Sequence, residues 1–198
     1  MKVMQTLRVQ NAISCCFLVL IFSCKAYKNS VQAEEAYNVA KTSLNTITKK
    51  YLKVDAIRNY DTIVLNSEVY KYEKKDFKYT INKWQESNNL TIVHGYKNEC
   101  ADSIFDQFDF NLVRSNIDSV ETWEISKLKN PKVSNKPKAE FRLDDTRIEL
   151  SNPIFNEDYT KSLILVNYKG EGKIIFYLIK KNNQWNFVCE LYDIFYHS

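Results

Sequence analysis

Apolar residues along this chain change period from one region to the next. From 31 to 52 they recur at three- and four-residue spacing: Ala33, Ala36, Tyr37, Ala40, Leu44, Ile47 and Tyr51. That spacing lays one stripe along a helix, and Ser30 stands where an N-cap belongs. From Asp61 the pattern shortens. Asp61-Thr62-Ile63-Val64-Leu65 and Glu68-Val69-Tyr70-Lys71-Tyr72 are β-rich, with Asn66-Ser67 as a turn signal between them. Residues 75–86 are ambiguous, because Phe77, Tyr79, Ile81 and Trp84 suit a strand or a helix. Leu90-Thr91-Ile92-Val93-His94 reads as a strand. Residues 101–129 have room for one short helix, and 129–138, with Pro131 and Pro137, read as a loop.

The last sixty residues carry the plainest pattern. Arg147-Ile148-Glu149-Leu150 alternates, and Leu163-Ile164-Leu165-Val166 is continuously apolar. Gly170-Glu171-Gly172 turns the chain into Ile174–Ile179, and Asn182-Asn183 offers a two-residue hairpin loop. Beyond it, Trp185, Phe187, Cys189 and Leu191 fall on one face of an alternating strand, with Phe195 continuing it. Tyr192 and Tyr196 then fall on the opposite face and form a candidate partner surface. The predicted class is α+β: an N-terminal helix packed on an antiparallel sheet that ends in a C-terminal β-meander.

Residues 1–30 follow a different logic. Lys2 and Arg8 precede an apolar run from about Ile13 to Phe22. A charged start followed by an apolar stretch of about 7–15 residues is the form of an export signal. A membrane-spanning helix needs roughly 20 apolar residues, and Ser14, Cys15 and Cys16 dilute this one. Ser23 would suit an ordinary secretory cut. Alternatively, Ile21-Phe22-Ser23-Cys24 resembles the lipobox of bacterial lipoproteins, although Phe22 is larger than the residue usual at its place. That resemblance implies cleavage before Cys24, a diacylglyceryl thioether on its sulfur, and a membrane partner held through the lipid. Two or more acyl chains, at about 0.8 kcal/mol per buried methylene, anchor stably. No acidic residue follows Cys24 before Glu34, which resembles lipoproteins sorted to the periplasmic face of an outer membrane. The expected organisation is a signal over 1–23, a tether over 24–30 and a single α+β domain over 31–198.

Charge changes the picture little. Without Lys2 and Arg8 the 28 cations become 26, against 24 anions. A near-neutral domain with no basic stripe gives no support to nucleic acid as a partner. Of five cysteines, Cys15, Cys16 and Cys24 lie in the leader, leaving Cys100 and Cys189. In an oxidising compartment these are a candidate disulfide, the alternative being one core residue and one separate thiol.

A second resemblance covers roughly residues 120–195. Leu150-Ser151-Asn152-Pro153-Ile154-Phe155, a strand, a Gly-containing turn, a strand and Asn183-Gln184-Trp185 are similar to the C-terminal part of uncharacterised bacterial lipoproteins. Trp123-Glu124-Ile125-Ser126-Lys127-Leu128 resembles their Trp-x-x-x-Lys-Leu segment. Asn183-Gln184 stands where that family has Gly-Lys. The resemblance implies a fold and no activity. Asp61-Thr62-Ile63, Asp102-Ser103-Ile104 and Asp118-Ser119-Val120 resemble the sequon that some Gram-negative bacteria O-glycosylate, making Thr62, Ser103 and Ser119 candidate sites; ordinary turn and cap chemistry is the plainer reading.

Candidate chemistry is sparse. His94 and His197 are the two histidines. Neither H-x-x-x-H nor C-x-x-C occurs, so no metal site is expected. Gly170-Glu171-Gly172 lacks the lysine and the helix of a phosphate loop, and no cofactor is implied. Asp106/Asp109, Asp144-Asp145 and Glu157-Asp158 are carboxylate clusters of the kind a glycosidase would need across a cleft; charge pairs in loops are more simply solvated. The expected function is a non-enzymatic envelope module that binds a protein or glycan or serves as a structural component. An immunity or inhibitor lipoprotein is one alternative, and a hydrolase with an acidic site another.

Overall fold

The computed structural model of the chain describes residues 31–49, 63–88, 100, 103–104, 108–110, 120–135, 147–168 and 172–193. Helix α1 covers 31–49 and turns Ala36, Val39, Ala40, Ser43, Leu44 and Ile47 inward. Ser43 tolerates burial because its hydroxyl donates to the Val39 carbonyl one turn back (2.9 Å).

Among the described residues, seven strands form one sheet: β1 (Ile63–Leu65), β2 (Val133–Ser134), β3 (Arg147–Leu150), β4 (Ile154–Phe155), β5 (Lys161–Tyr168), β6 (Gly172–Lys181) and β7 (Gln184–Asp193). The order is β2-β1-β3-β5-β6-β7, with β4 paired to β5. The class is α+β, and β5-β6-β7 is the C-terminal meander. The sheet is mixed rather than wholly antiparallel, since β1 runs parallel to both β2 and β3. Asn66-Ser67 therefore does not close a hairpin. After β1, Glu68 bridges Thr122 and Tyr70 bridges Ser151. The Asn66 side chain accepts from the Glu68 N–H (3.2 Å), so the turn signal is used locally to redirect the chain. The 129–138 segment is not all loop, because Val133–Ser134 pairs with β1.

The ambiguous 75–86 stretch is a helix, α2 (Lys74–Asn88). Phe77, Ile81 and Trp84 share its buried face at helical spacing, while Tyr79 is 57% exposed. The Asp76 carboxylate reaches back to the Glu73 N–H (2.7 Å), satisfying a donor that the first helical turn leaves open. Residues 100, 103 and 104 are helical, and a short helix α3 covers Ile125–Leu128. The expected strand over 90–94 and the Gly170-Glu171 part of the expected turn lie outside the described residues.

The sheet is covered on both faces. On one, α1, Trp123 and Leu128 pack on Ile148, Leu150, Ile164, Val166, Ile174, Phe176 and Leu178. On the other, α2, Cys100, Ile104 and Phe108 pack on Leu163, Leu165, Ile175, Tyr177 and Leu191. This explains the continuous apolar run 163–166: a strand buried on both faces has no solvent side to alternate with.

The string Ser151-Asn152-Pro153-Ile154-Phe155 carries the chain from β3 into β4. The Ser151 hydroxyl accepts the Leu165 N–H (3.0 Å) and donates to the Asn152 carbonyl (2.9 Å). The Asn152 amide donates to the Val120 carbonyl (3.1 Å), and the chain returns as β4 against Leu163 and Ser162. At the other hairpin, Asn182 and Asn183 have φ of 52° and 59°, the double left-handed geometry that Asn tolerates in a two-residue turn.

A sheet with one wet face would respond to truncation on that side only. Here Ile164→Ala and Ile175→Ala, on opposite faces, should each cost about 2–5 kcal/mol, read by urea denaturation. A loss confined to one of them would contradict the two-sided core.

Candidate functional site

The expected site residues are divided between described and undescribed parts of the chain. Cys24, Thr62, Ser119, Tyr196, His94 and His197 lie outside the described residues, as do Ser30, Tyr51 and Phe195. Ser103 is described. It is half-buried in a helical stretch beside Ile104, which is fully buried.

Strand β7 gathers the rest, and its geometry differs from the alternation read in sequence. Tyr177 pairs with Cys189 and Leu178 with Phe187, leaving Val188 as an extra residue. A bulge of one residue reverses which side chains face which core. Trp185 and Phe187 thus join the α1 core, while Cys189 and Leu191 join the α2 core. The expected single face of Trp185, Phe187, Cys189 and Leu191 is split in the middle.

The bulge brings Cys189 to the side where Cys100 lies, and the two are bonded, with Cα atoms 5.7 Å apart across a sequence separation of 89. The bridge ties the far edge of the meander to the segment that follows α2. Trp84 adds a second tie, its indole N–H donating to the Tyr192 carbonyl (2.6 Å). Tyr192 itself is 47% exposed and lies one residue beyond Leu191, which is fully buried; its hydroxyl donates to Glu190 (3.2 Å). The bulge places it on the α1 side of the sheet, the side of Trp185, and not opposite to it as the alternation implied.

On the α1 side a partly buried polar cluster joins helix to hairpin. Glu35 accepts from Lys180 Nζ (2.5 Å) and from Trp185 Nε1 (2.7 Å). The Glu35 and Lys180 side chains are only 14% and 21% exposed. One turn earlier, the Gln32 amide donates to the Tyr159 hydroxyl (2.6 Å). Further along α1, Tyr37 packs edge-on with Trp123, and Lys127 Nζ lies 5.3 Å from the Tyr37 ring centre. Trp123 in turn donates to the Leu150 carbonyl (3.2 Å).

Several of the described carboxylates are engaged in structure. Asp158 accepts from the Thr160 hydroxyl (2.6 Å) and N–H (3.0 Å), and the hydroxyl bond foremost holds its pKa below the usual carboxylate value. Glu149 accepts from Asn66 and Asn167. Among the described residues no group of three or more His, Cys, Asp or Glu is placed to hold a metal ion. Comparison with models of known families, with curated proteins and with solved structures gives no match.

Sequence reasoning missed the bulge and the Glu35 cluster. The bulge had no signal, because Val188 fits a regular strand as well as a bulge. Glu35 had a weak one, a carboxylate at the edge of an apolar helical stripe.

Two outcomes follow from this geometry. Mature protein, denatured without reductant, should titrate no free thiol, and Cys100→Ser should lower stability by up to about 4.5 kcal/mol, the chain-entropy value for a loop of this length. Tyr177, paired across the ladder with Cys189, has its hydroxyl pKa pushed up to about 12 by burial. An unfolded tyrosine titrates near pH 10, so the folded form holds the proton longer. This contribution is complete below about pH 10 and is lost as pH rises toward about 12. Melting temperature should fall across that window, and Tyr177→Phe should flatten the fall.

Proposed function

We propose that the chain is a lipid-anchored protein of the cell envelope, and that its folded α+β part acts by binding or as a structural component. The observation that carries this reading is the run Leu18-Val19-Leu20-Ile21-Phe22-Ser23 ending on Cys24, behind Lys2 and Arg8. The Cys100–Cys189 bridge adds independent support from the folded part, since structural disulfides persist in oxidising compartments such as the periplasm. The attachment would come from the lipid on Cys24; among the described residues no helix is long and apolar enough to cross a membrane. The periplasmic face of an outer membrane is the location the tether favours, because no acidic residue stands between Cys24 and Glu34.

For the partner, the reading favours a protein or glycan. Tyr192 supports it as an exposed aromatic at the end of β7, and tyrosine is enriched in binding surfaces. The binding module is preferred to the hydrolase because Asp76, Asp158 and Glu35 serve a cap, a turn and an ion pair.

Cys24→Ala tests the anchor. Cells fed a labelled fatty acid should label the native protein and not the variant, which should accumulate at precursor length. Acyl label on the variant would remove the lipobox assignment.

A further inference from the structure

We propose that the end of the sheet formed by the β6–β7 hairpin, the 156–160 turn and the first turn of α1 faces the bilayer, and that the opposite end, with Tyr192, is held away from it. The proposal rests on the anchor at Cys24 and adds an orientation to it.

The near end is built around the start of α1. Gln32 is bonded to Tyr159 in the 156–160 turn, and Glu35 to Lys180 and Trp185 on either side of the hairpin tip. The Lys180 N–H donates to the Thr160 carbonyl (2.7 Å), joining turn and hairpin directly. The point where α1 begins is therefore fixed to this end of the meander. From there α1 crosses the sheet toward β2, and its Asn45 meets Asn130 on the far side (3.0 Å).

Chain length converts that placement into an orientation. Cys24 and Val31 are seven residue steps apart, so the chain between them spans at most about 25 Å whatever its conformation. A folded unit of this length is on the order of 40 Å across. The tether is shorter than the path around such a unit, so the end from which α1 starts is the end held at the membrane. Tyr192 lies at the other end of β7, and the strand from Gln184 to Tyr192 covers roughly 25 Å.

The chemistry of the near end suits a headgroup layer. Lys181, Asn182, Asn183, Gln184, Glu157 and Asp158 are exposed there. The exposed large apolar residues among those described, Tyr79, Val188 and Tyr192, belong to α2 and to the middle and far end of β7. The near end thus offers one lysine, two carboxylates and three side-chain amides to the zwitterionic headgroups and water of the interface, and among the described residues no exposed large apolar side chain to bury in acyl chains.

The test uses the full lipidated protein in vesicles containing a lipid with a nickel-chelating headgroup. Acylated Cys24 and the Cys100–Cys189 bridge leave an introduced thiol free for one spin label, placed at Lys181→Cys or Gln184→Cys near the hairpin tip, or at Tyr192→Cys. Paramagnetic relaxation by the headgroup nickel should be several-fold stronger at both tip positions than at 192. Equal relaxation at the two ends, or stronger relaxation at 192, would overturn the orientation while leaving the anchor intact. Failure of the labelled protein to associate with vesicles would overturn the anchor and the orientation together.

Discussion

Every other element is arranged around the β5–β6 ladder. Eight consecutive pairs, from Lys161↔Ile179 to Tyr168↔Gly172, hold these strands together. Their side chains divide between two cores: Ile164, Val166, Ile174, Phe176 and Leu178 face α1, and Leu163, Leu165, Ile175 and Tyr177 face α2. A ladder that apolar on both sides is unfavourable in water until both sides are covered. Helices α1 and α2, with Cys100, Ile104, Phe108 and Phe110, are the cover. Their burial, at about 25 cal/mol per Å² of apolar surface, is what offsets the entropy of ordering the described strands and helices.

The second constraint is the one-residue bulge at Val188. A regular β7 would point Cys189 at α1, and Cys100 lies under the opposite face. With the bulge, Trp185 can dock on Glu35 and Phe155 on one side while Cys189 bonds Cys100 on the other. Bulges also bend edge strands and discourage pairing with other chains. That suits β7, which ends the strand order. The Trp84 indole bonded to the Tyr192 carbonyl acts at the same strand, nearer its end. One local irregularity thus reconciles two cores with one strand.

The functional reading and the fold meet at the first turn of α1. The glutamate that anchors the helix to the β6–β7 hairpin, Glu35, sits eleven residues after the proposed lipid-bearing Cys24. A partly buried ion pair of this kind is a weak source of net stability, because desolvation offsets most of its attraction. Its value lies in geometry. With Trp185 as a third partner and Gln32–Tyr159 beside it, the pair sets where the helix begins on the sheet. In the proposed arrangement this fixes which end of the protein meets the membrane and which end presents Tyr192.

Sequence by itself determined the elements whose signals are local. The apolar stripe of α1, the alternation of Arg147–Leu150, the doubly buried run 163–166 and the Asn182-Asn183 turn all follow from periodicity and from what single residues tolerate. The α+β class followed from their order. Tertiary structure decided what depends on partners distant in sequence. Residues 75–86 had two readings, and the helix won because Phe77, Ile81 and Trp84 complete a core against β5 and β6. Val133–Ser134 became a strand because β1 offered it a parallel edge, and a parallel neighbour leaves no turn between the two for a sequence to reveal. For the same reason Asn66-Ser67 proved a local redirection and not a hairpin. The candidate disulfide was visible only as a pair of residue types. Its formation depended on the bulge, which changes a strand's facing without changing its composition, and so it was decided by packing on both sides of the sheet.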